Sequence, residues 1–190
     1  MIKAILFDCF GVLATEAWLP FKKQYFGNDP KLYRQASDLA SQANSGLIDY
    51  EAFISSVADL AGVDSATVHR AITRNVPNGE LFDYIRELKP DYKIGFLSNI
   101  AGDRLKQIFT ADQLALLDVI ALSYKTGFIK PQAEAYRSIA QQLGVAVDEC
   151  VFVDDQERQV AGAHQIGMPA ILYQDFEQFR TALSRLLKTT

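Results

Sequence analysis

The sequence predicts an α/β fold in which a parallel five-stranded sheet is flanked by helices and carries a small all-helical cap. Five short apolar runs, each of a length typical for a buried strand, alternate with amphipathic helical segments. Between the first and the second run lies a long stretch, 15–76, with helical periodicity and no strand-like run. Strands that alternate with helices form parallel sheets through right-handed crossovers. The long helical stretch interrupts the first crossover and is therefore expected to lie over the carboxyl edge of the sheet.

The length of the 190-residue chain fits one sizeable domain or one domain with a small inserted module. Hydrophobic residues make up 49% of the sequence and the formal net charge is −4. No basic run is present, so we expect no nucleic-acid partner. The first apolar run is too short for a signal peptide, and no stretch approaches the roughly 18 apolar residues that cross a bilayer. The two cysteines, Cys9 and Cys150, are too few for a disulfide framework, and we expect a cytoplasmic protein without a membrane partner.

The first apolar run, 2–7, ends in a carboxylate at Asp8 and is closed by Gly11. Its Ile, Leu and Phe content favours a strand that is buried on both faces. A parallel sheet places the last side chain of such a strand at its carboxyl edge, where open α/β sheets bind ligands. We therefore expect Asp8 at that edge, and Gly11 at a turn where a side chain would clash.

The helical stretch 15–76 carries clear boundary signals. Asp49 is a good N-cap for a helix over 50–61, and Gly62 ends that helix. The many aromatic residues of the stretch are expected mainly to pack against one another.

The later apolar runs also deliver polar residues to their ends. Lys130 follows the third run, and Pro131 fits the first turn of a helix that continues to Leu143. The runs are 93–97 followed by Ser98-Asn99, 119–122 followed by Ser123, 150–153 followed by Asp154-Asp155, and 169–173.

Strand ends of a parallel sheet meet at one rim, so these polar groups are expected to converge. Each is common by itself, because Ser-Asn pairs form turns and paired Asp residues cap helices. Their succession at strand exits predicts one polar site. The site would contain Asp8, Ser98, Asn99, Lys130, Asp154 and Asp155.

On these motifs the chain resembles the haloacid dehalogenase-like hydrolase superfamily, whose members are mostly Mg²⁺-dependent phosphatases. The resemblance covers the whole length, including the helical insert after the first strand. It implies a Rossmann-like core over 1–14 and 77–190 and a helical cap over 15–76. It also implies hydrolysis of a small phosphorylated metabolite, and it leaves the oligomeric state open.

The resemblance assigns a role to each group of the predicted site. Asp8 would be the nucleophile, and Ser98 with Asn99 would bind the substrate, Ser98 through the phosphoryl group. Lys130 would neutralise that group. Metal ligands would be Asp8, the backbone carbonyl of Phe10, Asp154 and Asp155, with Asp155 as the direct ligand of the acidic pair. A Mg²⁺ ion there would remove the repulsion between the carboxylate of Asp8 and a phosphate dianion.

Phe10 departs from the pattern of most phosphatases of this family, which carry a second Asp there as general acid and base. A benzyl side chain cannot carry a proton, and a missing general acid typically costs about 10²–10⁴ in rate. The substrate could instead have a good leaving group, as a sugar 1-phosphate does, or Glu16 near the start of the cap could supply the proton.

Two other functions remain open. Metal-independent haloacid dehalogenases of the same superfamily carry an aromatic residue at the position of Phe10, and Asp8 would then displace halide from carbon. The adjacent carboxylates of Asp154 and Asp155 argue against a site without a cation. A non-catalytic protein that binds phosphate or a partner is the third alternative.

Two further groups concern the pocket. We expect Arg104 and Lys106 on a solvated helix face, although they are near enough to the second strand exit to meet an anionic substrate. Trp18, Phe21 and Tyr25 share a helix face and are candidates for the cap side of the pocket.

Overall fold

The computed structural model describes residues 1–188, and its centre is a five-stranded sheet. The strand order is β3-β2-β1-β4-β5, and all neighbouring strands are parallel. The predicted α/β class is therefore confirmed. The strands are β1 (Ala4–Phe7), β2 (Lys93–Ser98), β3 (Val119–Leu122), β4 (Cys150–Asp154) and β5 (Ala170–Leu172).

Four helices, α1–α4, form the segment that follows β1, and later helices flank the sheet. The boundaries of α3 are as predicted: the side chain of Asp49 accepts the N–H of Ala52 at 2.8 Å, and Gly62 ends the helix with φ of 67°. The helices are α1 (Trp18–Phe26), α2 (Pro30–Asn44), α3 (Tyr50–Ala61), α4 (Ser65–Ile72), α5 (Gly79–Leu88), α6 (Leu105–Ile108), α7 (Ala111–Leu114), α8 (Ser123–Thr126), α9 (Ala133–Leu143), α10 (Glu157–Gln165) and α11 (Phe176–Lys188).

The central strand β1 contributes to two hydrophobic cores because its side chains alternate between the faces of the sheet. Ile5 and Phe7 pack in the cluster that includes residues of α5 and α11, whereas Ala4 and Leu6 pack in the cluster with α9 and α10. All four side chains are fully buried. Burial on both faces fixes the register of β1, and the register in turn fixes where Asp8 emerges.

Helices α1–α4 pack around a separate hydrophobic cluster of their own. The chain enters and leaves this part through two adjacent crossings. Thr15 donates its N–H to the carbonyl of Val76 at 2.9 Å, and the Thr15 hydroxyl accepts the N–H of Val76 at 2.9 Å. Asn75 also donates from Nδ2 to the Thr15 carbonyl at 2.7 Å. These crossings support 15–76 as the proposed bounds of the cap.

The prediction that Lys130 begins a helix, with Pro131 in its first turn, is wrong. The helix α9 begins at Ala133, and Lys130 and Pro131 lie in a turn that precedes it. The Lys130–Pro131 peptide bond is cis. The backbone at Lys130 is held by side-chain hydrogen bonds from Asn99, at the exit of β2, instead of by helical hydrogen bonds.

Within residues 1–188 no helix combines the length and the apolar character that a membrane crossing requires.

Candidate active site

The site is built around the ammonium group of Lys130. Its Nζ lies 2.6 Å from Oδ1 of Asp8 and 2.7 Å from Oδ2 of Asp154. Asp8 directly follows β1 and Asp154 ends the neighbouring strand β4, so both carboxylates lie at the same edge of the sheet. The exposed fractions of Asp8, Lys130 and Asp154 are 6%, 4% and 0%. Three of the predicted site residues thus form one buried ion-pair cluster.

Asn99 fixes the backbone that carries Lys130. Its Nδ2 donates to the carbonyl of Lys130 at 3.0 Å, and its Oδ1 accepts the N–H of Lys130 at 2.9 Å. The paired contact ties the turn before α9 to the exit of β2. Asn99 is therefore a positioning residue for Lys130, and its contact with substrate stays a prediction.

The two carboxylates of the acidic pair differ in the number of hydrogen bonds that they accept. Oδ2 of Asp154 contacts Lys130, and its Oδ1 accepts the N–H of Gln156 at 2.9 Å. Asp155, in contrast, has a buried Oδ1 for which residues 1–188 provide no hydrogen-bond partner. Of the two, Asp155 is the one with an oxygen free for a ligand.

Asp8, Asp154 and Asp155 fit a divalent cation. Each can direct one carboxylate oxygen to a common place, and the three oxygens lie within 4.8 Å of one another. Oxygen ligands of this kind are those that Mg²⁺ prefers, and a cation would offset the repulsion of three close carboxylates. The orphaned Oδ1 of Asp155 is a further sign of the same fit. The carbonyl of Phe10, in the loop after Asp8, stays a predicted ligand.

Gly11 allows the loop after β1 to approach the acidic pair. Its φ is +88°, and a Cβ atom placed on it would lie 2.1 Å from Oδ2 of Asp155. Real Cβ atoms do not come so close to another atom, so any side chain here would displace the carboxylate. The predicted need for glycine at this turn is confirmed.

Ser98 completes the edge at the end of β2. It is 1% exposed, and its Oγ has no hydrogen-bond partner in the part of the chain that the structure describes. A buried hydroxyl without a partner is unusual in a folded protein and indicates a place where a ligand can bind. We refer to Asp8, Ser98, Lys130, Asp154 and Asp155 together as the floor.

Burial and the neighbouring charges shift the pKa values of the ionisable groups of the floor. Burial raises the pKa of Asp8 to about 7, although the adjacent ammonium of Lys130 acts in the opposite direction. Burial likewise raises the pKa of Asp155 to about 6, and the carboxylate of Asp154 adds to this effect. Desolvation disfavours the charged form of Lys130, but the carboxylates of Asp8 and Asp154 outweigh it and raise its pKa above the ordinary value. Lys130 therefore remains a cation.

A cavity of about 340 Å³ extends from the floor to the cap helices. Asp8, Phe10 and Lys130 line it from the sheet side, and Trp18 lines it from α1, as the sequence suggested. Phe21 and Tyr25 instead contribute to the packing within the cap. Further lining residues include Glu16, Lys22, Ser37, Tyr50, Phe53, Asn75, Arg104 and Gln159.

The placement of Arg104 on a solvated helix face is wrong, whereas Lys106 is exposed as expected. Arg104 lies just before α6 and lines the cavity, with its guanidinium carbon 5.1 Å from the ring centre of Tyr50. Tyr50 and Asn75 were missed altogether. Their place in the cavity depends on how the cap packs against the sheet, and neither periodicity nor spacing carries that information.

Glu16 lines the same cavity as Phe10 and Asp8. Its Oε1 accepts the N–H of Leu19 at 3.2 Å and also the N–H of Trp18, so the side chain caps the start of α1. Burial raises the pKa of Glu16. Its role as proton carrier in place of an Asp at position 10 stays a prediction.

Comparison with known proteins places this chain in a family. The family described as haloacid dehalogenase-like hydrolase matches residues 2–167. The phosphatase MT3486 of Mycobacterium tuberculosis is 39% identical over 101 residues, which cover 51% of this chain and 46% of that protein. The chain thus spans about half the length of that curated relative. The sesquiterpene phosphatase astK of Aspergillus oryzae is 27% identical over 172 residues, 87% of each chain.

The fold is shared with a HAD-family enzyme of Bacteroides thetaiotaomicron, whose structure was solved in complex with magnesium and inorganic phosphate. The TM-score is 0.76 at 22% sequence identity, and the match covers 94% of this chain and 99% of that one. The family match extends from before β1 to beyond α10 and so contains the whole floor. This chain belongs to the haloacid dehalogenase-like hydrolase family.

Proposed function

We propose that the protein is a Mg²⁺-dependent phosphatase that hydrolyses a small phosphorylated metabolite through an aspartyl-phosphate at Asp8. The observation that carries the proposal is the convergence of three carboxylate oxygens within 4.8 Å at the edge that also holds Lys130. The names of the two curated relatives, both phosphatases, support it. The related structure with bound magnesium and phosphate supports it as well.

The metal would be held by Asp8, Asp155 and the carbonyl of Phe10, with Asp154 beside them. A Mg²⁺ ion held there would supply charge neutralisation for the phosphoryl oxygens and alignment with the carboxylate of Asp8. Asp154 accepts hydrogen bonds through both oxygens, so besides adding negative charge beside the cation it holds Lys130 and Gln156 in place.

In the first step, a carboxylate oxygen of Asp8 attacks phosphorus, and the bond from phosphorus to the ester oxygen breaks. Lys130 holds Oδ1 of Asp8 at 2.6 Å, which fixes the orientation of the carboxylate and favours its ionised form. The hydroxyl of Ser98, which has no partner in residues 1–188, donates to a phosphoryl oxygen. The cation of Lys130 stabilises the negative charge that the phosphoryl oxygens carry.

In the second step, water attacks the phosphorus of the aspartyl-phosphate, which releases inorganic phosphate and restores Asp8. Each step is easier than direct attack of water on the ester. The oxygen that leaves in the first step needs a proton unless the leaving group is already stable as an anion. Phe10 cannot supply that proton, so the proposed substrates have good leaving groups, such as a sugar 1-phosphate, or receive the proton from Glu16.

The test is hydrolysis of p-nitrophenyl phosphate and of a panel of sugar phosphates, with Mg²⁺ and with a chelator. We expect phosphate release with Mg²⁺, its loss with the chelator and its return when Mg²⁺ is added back. Asp8→Asn serves as the inactive control, and Asp148→Asn, an exposed acid outside the cavity, as the active one. Hydrolysis that the chelator leaves unchanged would rule out the metal-dependent mechanism.

Phe10 favours a second function, metal-independent dehalogenation of a 2-haloacid. In that reaction Asp8 attacks carbon, halide leaves, and water opens the resulting ester. The same assay separates the two functions if 2-chloropropionate is included and halide release is measured. Halide release that persists in the chelator, without phosphate release from any ester, would establish the second function over the first.

A further inference from the structure

The hydrogen-bonding groups without partners are concentrated around one cavity. In the part of the chain that the structure describes, six buried side-chain atoms lack a hydrogen-bond partner. Four belong to residues that line the cavity, and the other two are Ser98 and Asp155 of the floor. The four are Tyr50 Oη, Asn75 Oδ1, Arg104 Nε and Gln159 Oε1. Buried polar groups in native proteins are nearly always bonded, so the cluster indicates a polar ligand that extends beyond the phosphoryl group.

Arg104 is a cation in this cavity without a carboxylate partner. No ion pair joins its guanidinium to an acid within residues 1–188, and its buried Nε donates to no acceptor there. The nearest acid in sequence, Asp103, is instead paired with Lys125 at 3.0 Å. Tyr50 offers Arg104 only the face of its ring, 5.1 Å from the guanidinium carbon. The donors of the guanidinium fork are therefore available to a ligand.

Lys22 on α1 is a second cation that lines the cavity, and within the described residues it forms no ion pair with a carboxylate. The carboxylate of Glu16 in the same cavity interacts with it only at longer range and accepts hydrogen bonds from the start of α1 instead. It is 8% exposed, and its Nζ donates to Oγ of Ser37 at 3.1 Å and lies 4.2 Å from the ring centre of Tyr33. A hydroxyl and a ring face compensate a buried ammonium group poorly compared with a carboxylate. Two under-compensated cations in one cavity favour an anion there.

We propose that the alcohol part of the substrate carries a second anionic group, a carboxylate or a phosphate, which Arg104 binds with the support of Lys22. The inference rests on the phosphatase function proposed above. The floor receives the phosphoryl group that is transferred, and Arg104 receives the group that stays with the alcohol. Arg104 is thus a specificity residue, and it takes no part in the bond-breaking step.

The experiment compares two esters that differ in one charge, 4-carboxyphenyl phosphate and 4-carbamoylphenyl phosphate, both with Mg²⁺. The carboxylate and the amide have nearly the same shape, and both phenols are good leaving groups. We expect kcat/KM to be at least about 10-fold higher for the acid, because a charge-assisted hydrogen bond to Arg is lost in the amide. The difference should lie mainly in KM.

Three substitutions test whether Arg104 causes the preference for the acid. Arg104→Gln is expected to bring the acid-to-amide ratio close to one while hydrolysis of the amide ester continues, which also shows that the variant is folded. Arg104→Lys should keep part of the preference, because it retains charge but loses the planar fork. Lys106→Gln removes the same charge from an exposed position and should leave the ratio unchanged.

A second pair of substrates identifies the anion. Glucose 1,6-bisphosphate against glucose 1-phosphate tests a phosphate in the same way, and the pair on which Arg104→Gln has the larger effect names the group. Equal rates within both pairs would overturn this inference and leave the proposed phosphatase intact. An unchanged ratio in Arg104→Gln would overturn it as well. No hydrolysis of any ester would overturn the proposed function and, with it, this inference.

Discussion

The floor of the cavity and its wall, which we define as Lys22, Tyr50, Asn75 and Arg104, differ in how their cations are paired. On the floor, Lys130 contacts two carboxylates at 2.6 and 2.7 Å, so its charge is balanced within the protein. On the wall, the cations contact ring faces and a hydroxyl but, within residues 1–188, form no ion pair with a carboxylate. The comparison teaches that paired charges hold one another in a fixed geometry, whereas unpaired ones are available to a ligand.

The largest effect is expected on the floor, from Asp8→Asn. The amide keeps an oxygen for the hydrogen bond from Lys130 but is no nucleophile, so kcat should fall by roughly 10⁴-fold or more. Lys130 still contacts Asp154, and we expect the melting temperature to change little. Steady-state kinetics and a thermal melt check both parts. A variant with full activity would remove Asp8 as nucleophile and leave the floor as a structural ion-pair cluster.

Phe10→Asp tests a residue that lines the cavity beside Asp8 and belongs to neither the floor nor the wall. A carboxyl group at this position can pass a proton to the leaving oxygen, so hydrolysis of glycerol 3-phosphate should rise by up to about 10²-fold. The rate with p-nitrophenyl phosphate, whose leaving group needs no proton, should stay the same. Phe10→Asn is the matched control without an exchangeable acid. If the rate with glycerol 3-phosphate does not rise, another group already supplies the proton, and Glu16→Gln would then reduce it.

Gly11→Ala separates backbone strain from contact with the floor. The alanine would have to adopt a positive φ, and its Cβ would lie 2.1 Å from Oδ2 of Asp155. We expect about 1–3 kcal/mol less stability towards urea, together with weaker Mg²⁺ binding. Gly62→Ala is the control, because its φ is also positive but no atom lies within 4 Å of the added methyl. Equal loss of Mg²⁺ binding in both variants would mean that the contact with Asp155 is unimportant.

The smallest expected effect is on the stability of the metal-free protein as a function of pH. Burial raises the pKa of Asp155 to about 6, so its protonated form is favoured in the fold. The stability from this group is therefore fully present below the ordinary Asp pKa of 3.8 and is lost as the pH rises from there through about 6. In the presence of a chelator, Asp155→Asn should raise the melting temperature by a few degrees at pH 8 and by clearly less at pH 5, where the natural protein still has part of that stability.

Added Mg²⁺ provides the second half of that measurement. The cation favours the ionised carboxylate, so it should stabilise the natural protein at pH 8 and stabilise Asp155→Asn much less. Asp148→Asn, an exposed acid, should show neither effect. Equal stabilisation of all three proteins by Mg²⁺ would place the cation elsewhere.

The sequence was a good guide to whatever depends on neighbours along the chain. Asp49 and Gly62 predicted both ends of α3, and the apolar run before Asp8 predicted a buried strand that ends at the edge. The convergence of Asp8, Lys130 and Asp154 also followed, because parallel strands deliver their ends to one rim.

The sequence was a poor guide where a distant contact overrides the local signal. Pro131 looks like a helix start, but the hydrogen bonds from Asn99 hold Lys130 in a turn, and α9 begins only at Ala133. Arg104 looks like one of two surface cations, and its position against Tyr50 depends on the packing of the cap. The wall was therefore largely invisible from the sequence, because its members come from different elements with no common spacing.

The paired hydrogen bonds that join Thr15 to Asn75 and Val76 have a consequence for how such proteins diversify. Because the chain leaves and re-enters the sheet at neighbouring points, an insert of another length or shape can occupy the same junction without shifting β1. Evolution can therefore exchange the insert while the groups at the edge of the sheet keep their positions, and the same floor can be combined with inserts that line its cavity differently.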